Sequence, residues 1–545
     1  MRMRSFVPHP YRQVWLLAGG AVLLAELVAL PAHAQTPSAE PARATPAAPQ
    51  TAADSSTPST PAVDGKAPSA DAAPSVDTQA APAGAGTVGT GAGLFEQSTS
   101  ASEPKATSED AASNPQAFEL NGYVRSDFFV GRLPSSSTVG LQAGYGELAL
   151  ALRTRKEKYG DAFAETRLNY GLQQDGAKLN VDLREAYVNA YLGPLDLRLG
   201  HQIIVWGRAD AFNPTNNLTP LDLRVRSPLE DDRRLANLGL RSFLNLAPFR
   251  IEAIWLPIYR ATQVPSVASP SYVDFKYTNY PAPSLQNGTE AARVHLELPA
   301  VEASVSYLYG YAPLPGLALN GISEGQTVGD SVIPLAQPIR IERKAYDQHV
   351  LGFDFSTAIG DALALRGEAA FRSPLHYKRR AYAPNPDVQY VLGADRSFGN
   401  VSVIAQYMGR VVLDWHRAES PQFSEDPAAL GTGVPAAAIA QAIPLIEGEL
   451  RVRNQMLFSQ LHKVQHLATV RVEWLGLHET LSLSALAFVN FTTKEWLAFP
   501  KLGYKLSDNL SAAVGAEIFA GPTGTLFGLI DRQLTAGYAE LRCGF

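Results

Sequence analysis

The chain has 545 residues, 46% of them hydrophobic, a net charge of −6 and a single cysteine, Cys543. One cysteine excludes an intrachain disulfide framework, and the acidic balance gives no electrostatic footprint for nucleic acid. Beyond the N-terminus no stretch is long and apolar enough for a membrane helix, so the apolar residues are dealt out at shorter intervals.

Residues 1–34 read as an export signal. Arg2, Arg4 and Arg12 form a basic start, an apolar stretch runs from Val14 to Leu30, and Ala32-His33-Ala34 is a small-x-small cleavage site. Residues 35–117 collapse to Ala, Pro, Ser, Thr and Gly with scattered acids. Such a composition cannot bury enough apolar surface to offset chain entropy, and it predicts a disordered periplasmic linker. The linker is either a tether that contacts the cell wall or a passive spacer.

From Phe118 to Phe545 the sequence repeats one form: segments of about ten residues, alternately apolar and polar, separated by turn residues. This predicts an all-β transmembrane antiparallel β-barrel, closed because a lipid-exposed edge would leave backbone groups unpaired. About eighteen strands are expected, near 118–131, 143–155, 162–173, 180–192, 195–205, 236–246, 249–257, 289–298, 300–312, 348–358, 362–373, 387–395, 400–415, 464–475, 479–492, 495–506, 510–520 and 533–545. Short links alternate with long ones, as expected for periplasmic turns and outer loops. The short link after Asn490 breaks this alternation; either that hairpin is short or the count is sixteen. In strand 180–192, Asp182 to Glu185 falls out of phase and predicts a bulge or a short membrane-embedded stretch. The final strand, with Gly537, Leu541 and Phe545, has the form of a signal read by the barrel-assembly machinery.

Charged residues fall on the row opposite the apolar one. Arg198, Arg241, Arg366, Glu368, Arg410, Arg471 and Glu473 are therefore candidates to line the lumen. Tyr307, Tyr309, Tyr311, Trp255, Trp474 and Trp496 fall on outward positions near strand ends, where aromatic girdles meet outer-membrane lipids.

The segment Gly200 to Asp222 leaves a strand through an aromatic and a glycine, then runs through Asn, Pro and Asp, too rich in these for a helix. It is either a loop folded into the lumen, with Arg208 and Asp210 beside a constriction, or an outer cap. A helical run near Pro435 to Gln460 suggests a second plug or lid. No nucleophile elbow or phosphate-binding glycine loop is present. His462 and His466 have helical metal-ligand spacing but fall where a loop enters a strand, so no metal, cofactor or catalytic residue is expected.

A Gly-x-Gln strand running into Trp-Gly-x-x-Asp and then Asn-Pro, here Gly200, Gln202, Trp206, Gly207, Asp210, Asn213 and Pro214, resembles a large family of Gram-negative outer-membrane barrels of largely unknown function. That family is loosely similar to alginate-export porins. The resemblance is clearest over Leu183 to Leu256 and in the C-terminal strands, and does not include 35–117. It implies a barrel and no particular solute. Arg208 stands where the family pattern suggests an acid. The function expected is an outer-membrane channel for small polar solutes or saccharides. The alternatives are a plugged structural barrel or a surface receptor, and then an enzyme acting on lipid or polysaccharide.

Overall fold

The computed structural model describes residues 118–545 apart from 134–137, 155–158, 174–175, 211, 265–272, 323–325, 329–330, 334–338, 361–362 and 422–435. The expected export signal and linker lie outside the described residues. In chain order the strands are β1 (Phe118–Arg132), β2 (Val139–Thr154), β3 (Gly160–Gln173), β4 (Gly176–Leu192), β5 (Leu195–Gln202), β6 (Asn237–Leu246), β7 (Phe249–Leu256) and β8 (Val273–Asn279). Next come β9 (Thr289–Glu297), β10 (Val301–Tyr311), β11 (Gly316–Ile322), β12 (Gln326–Val328), β13 (Ser331–Ile333), β14 (Ile339–Lys344), β15 (Asp347–Ile359) and β16 (Leu363–Pro374). The last are β17 (Asp387–Phe398), β18 (Val401–Val412), β19 (Val464–Gly476), β20 (Leu481–Asn490), β21 (Glu495–Lys505), β22 (Leu510–Ala520) and β23 (Ala536–Gly544).

Eighteen of these form one antiparallel sheet, and β1 pairs with both β2 and β23, closing the cylinder. They fall at the predicted places. The link after Asn490 is a short turn, so eighteen strands stand and sixteen do not. The predicted phase break is a bulge: Glu165 faces Glu185 and Thr166 faces Leu183, so Arg184 has no counterpart on β3. The extra residue lets Arg184 and Glu185 both face inward, Arg184 reaching Asp231 and Glu185 reaching the Ile203 amide.

The outward row is apolar and uncovered. Leu199, Val305, Phe353, Leu392, Leu483 and Val514 are exposed, as a surface that faces acyl chains must be. Tyr307, Tyr309, Trp474 and Trp496 are exposed at its margins. Cys543 is also exposed. Among the described residues no helix is long and apolar enough to cross a membrane, so the crossing belongs to the strands.

The barrel has a short-turn end and a long-loop end. Links at the first include Gly193-Pro194 and Gly399-Asn400; those at the second run over 203–236, 257–288, 312–346 and 413–463. The second and third of these long loops build a three-stranded sheet, with β14 antiparallel to β11 and parallel to β8. Helix α1 (Ala436–Leu457), from the fourth, packs Ala442, Ile446 and Leu450 on Phe275, Leu317 and Ile341. The helix falls on the run read from the sequence as a second plug or lid. Asn279, Asn320 and Lys344 converge on Glu342 within the three-stranded sheet. Burial works to raise the Glu342 pKa, but those hydrogen bonds outweigh it and hold the carboxyl below its usual range. A second helix, α2 (Leu526–Leu534), precedes β23 and was read from sequence partly as strand 533–545. It buries Phe527, Ile530 and Leu534 against the inner wall.

Candidate functional site: a charged loop in the lumen

Residues 203–236 do not cap the barrel; they enter it. Ile204, Trp206, Phe212, Asn213 and Asn216 are almost wholly buried, as are Arg226 and Arg233. The sequence dictates the entry. At Gly207 φ is +102°, and a Cβ there would sit 1.8 Å from the side chain of Asn213. Asn213 donates its side-chain amide to the Trp206 carbonyl at 2.6 Å. The tight turn thus needs a glycine that tolerates positive φ and an amide that fits against it. Gln202 donates to the Gly239 carbonyl at 3.0 Å, and Asn217 donates to the Pro214 carbonyl at 2.8 Å. Gly200, at φ +142°, lies where a Cβ would meet the Ala186 carbonyl oxygen at 2.2 Å. These motif positions set the course of the backbone.

The loop is bound to the wall on every side. Arg208 pairs with Asp354 of β15 at 2.8 Å and with Glu302 of β10. Glu368 of β16 accepts the backbone amides of Arg208 and Ala209, and the Thr215 hydroxyl at 3.2 Å. Arg366 donates to the Arg208 carbonyl at 3.0 Å while paired with Asp395 at 2.8 Å. Asp210 meets Arg471 of β19 at 3.1 Å. Across the lumen, Arg226 and Arg233 hold Glu517 of β22 at 2.9 and 3.1 Å. Asp232 meets Arg125 of β1 at 2.6 Å and Arg167 of β3 at 2.5 Å. Burial would raise the Asp232 pKa, but Arg125, Arg167 and Arg184 outweigh it and hold the carboxyl well below the usual range. Between these ion pairs Phe212 packs in an apolar cluster with Met408, Leu467, Phe488, Leu497 and Phe527.

The predicted lumen residues divide into two groups. Arg208, Asp210, Arg366, Glu368 and Arg471 converge on the loop, as above. Arg410 also faces inward but is buried under the lid, donating to the Phe458 and Ser459 carbonyls with Asp387 at 3.5 Å. Its place is in the lid support and not on an open lumen wall. Arg198 and Arg241 lie towards the short-turn end and are partly open to the lumen. Arg198 lies 4.1 Å over the Tyr187 ring and donates to Asn189 at 2.8 Å. Tyr187 packs on Phe163 at 5.4 Å, and Arg153 lies 5.3 Å over Phe163. Arg241 pairs with Glu252 at 2.6 Å. Glu473 stands half-buried on the same inward row as Arg471. The region therefore presents flat rings flanked by guanidinium and amide groups.

Sequence reasoning placed Arg167 on the lumen face but missed Arg125, Asp231 and Asp232. Their only signal was position: an arginine on an inward row and an acidic pair before the strand that follows the loop. Among the described residues no group of three or more His, Cys, Asp or Glu side chains is arranged to hold a metal ion.

Residues 98–230 match a family model described as protein of unknown function (DUF1302). The match contains all seven motif positions. It begins inside the segment read as linker and ends before Leu256, so its extent differs from the resemblance read in the sequence. No curated protein matches the chain. Among solved structures, the chain is similar to OccK11 (OpdR) of Pseudomonas aeruginosa, at 11% identity and TM-score 0.41, covering 78% of this chain and 95% of that one. It is similar also to OccAB2 of Acinetobacter baumannii, at 10% identity and TM-score 0.46, with 78% and 98% covered. The outer membrane protein OpdK of Pseudomonas aeruginosa gives 8% identity and TM-score 0.43, with 78% and 98% covered.

Proposed function

We propose that this chain is an outer-membrane channel that passes small polar solutes, saccharides among them, between the long-loop and short-turn ends. The observation that carries this is the lumen itself: a closed cylinder of eighteen strands whose inward row is charged and whose narrowing is a single loop held by ion pairs. A barrel of this strand number has a bore for water unless loops fill it. Rings beside guanidinium and amide groups suit the faces and hydroxyls of a sugar, and mixed charge orients water without rejecting neutral solutes.

The long-loop end then faces outward and the short turns face the periplasm. Residues 1–34 direct export, 35–117 lie in the periplasm, and the barrel-assembly machinery reads Gly537, Leu541 and Phe545. A second reading, a plugged structural barrel, draws on the burial of the loop and its contacts around the whole wall. Reconstitution into planar bilayers separates them. Steady single-channel steps, with liposome swelling in neutral sugars, are expected; a silent, correctly folded barrel would leave the plugged reading.

A further inference from the structure

Three consecutive hairpins at the long-loop end, 375–386, 413–463 and 491–494, form one continuous arc of the rim. The Leu413 amide donates to the Pro386 carbonyl at 2.8 Å, Val412 to Lys463 at 2.8 Å, and Phe491 to His466 at 2.9 Å. Lys378, Arg379, Arg417, Lys463 and Lys494 are all exposed along this arc. Of the exposed acids among its described residues, Asp414 is taken by Lys378 at 3.4 Å and by the Tyr377 hydroxyl, which leaves Glu419 and, on helix α1, Glu447. The intervening 422–435, outside the described residues, carries Glu425 and Asp426. Below the basic residues the outward wall is amphipathic. The Tyr407 hydroxyl and His466 Nδ1 share a hydrogen bond of 2.6 Å, the Tyr390 and Tyr407 ring centroids are 6.3 Å apart, and Trp496 is exposed on the same row of the wall. Leu413, Val464 and Phe491 are exposed and apolar. The short loop 521–535 next along the rim carries one acid, Asp531, and one base, Arg532.

We infer that this arc is a docking surface for a phosphate-bearing glycolipid of the outer leaflet. Its chemistry is ordered by depth. Lysine and arginine sit where lipid phosphates lie, tyrosine, histidine and tryptophan at the sugar and ester level, and apolar side chains against the acyl tails. Guanidinium and ammonium groups bind phosphate through charge-assisted hydrogen bonds. The inference rests on the reading of the chain as an outer-membrane barrel with its long loops outward.

The test uses the full protein purified in detergent. Binding of lipopolysaccharide is compared with binding of the same glycolipid after enzymatic dephosphorylation, and inorganic phosphate is added as competitor. A variant carrying Lys378→Glu, Arg379→Glu, Lys463→Glu and Lys494→Glu is measured beside one with the three lysines changed to arginine. The intact glycolipid is expected to bind at least tenfold more tightly than the dephosphorylated one, with millimolar phosphate a poor competitor. The Glu variant loses at least tenfold, and the Arg variant keeps wild-type binding. Equal binding of both glycolipids, or a correctly folded Glu variant that binds normally, overturns the inference. Displacement by free phosphate at equal concentration also overturns it, by marking a simple anion site. Single-channel conductance recorded on the same preparations separates the two proposals: silent channels with phosphate-dependent binding sink only the channel reading. Normal channels without that binding sink only this one.

Discussion

Arg125 has no exposed side-chain surface, yet the carboxylates of Asp127, Glu147, Asp232 and Glu540 stand 2.6–3.7 Å from its nitrogens. Of these carboxylates only Asp232 comes from the loop, and Ser227 beside Arg125 and Arg226 over the Phe129 ring add to its hold on the β1 side of the wall. Replacing Asp232 with Asn leaves buried guanidinium groups short of a partner, and a loss of about 1–3 kcal/mol is expected for such a group. The dependence on pH has a definite sign. The folded carboxyl titrates well below its unfolded value, so its contribution is fully present above about pH 4 and is lost as pH falls through the folded value. Melting of the detergent-solubilised barrel, followed by heat-modifiable gel migration, should show wild type above the Asp232→Asn variant at neutral pH. The two should converge only in acid. Convergence already at pH 6 would point to a different group.

The strands were legible because each one crosses lipid. A row that faces acyl chains must be apolar and its opposite row polar, so period two is written into the segments of the eighteen barrel strands. The bulge was legible for the same reason, since Asp182 to Glu185 cannot satisfy one phase. Deleting Arg184 restores continuous pairing, with Glu185 following Leu183 directly, so Glu185, Tyr187 and Asn189 keep facing the lumen while the contact with Asp231 is lost. The deletion is expected to leave a folded, heat-modifiable species in outer-membrane fractions that melts below wild type, and complete loss of that species would refute the assigned bulge. Helix α2 was not legible, because its apolar residues face a lumen wall that is itself apolar there, at Phe488, Leu497 and Phe519. The small sheet of β8, β11 and β14 escaped notice because its strands are short and one pairing is parallel between distant loops. Trp206, Gly207 and Asn213 marked the turn of the loop in the sequence but left it between the lumen and an outer cap. Its partners were not legible, because Arg208 with Asp354, Arg226 with Glu517 and Asp232 with Arg125 are set by closure of the sheet and by no local spacing.

At the scale of the molecule, the lid and the loop act at different depths. The sheet and α1 cover the long-loop mouth, whereas 203–236 narrows the bore beneath it. Replacing 208–233 with a short Gly/Ser linker is expected to raise single-channel conductance several-fold, as a wider aqueous bore requires. Unchanged conductance would place the limiting barrier in the lid instead. The same loop has a mechanical consequence. A cylinder of eighteen strands is broad and thin-walled, and nothing in the hydrogen-bonded sheet alone fixes its cross-section as round. The loop reaches β1, β3, β10, β15, β16, β19 and β22 at once, so it works as a set of spokes braced against a hoop. Cutting several spokes should let the hoop sag into an ellipse, and the outline presented to the surrounding lipid would change along with the hole inside it.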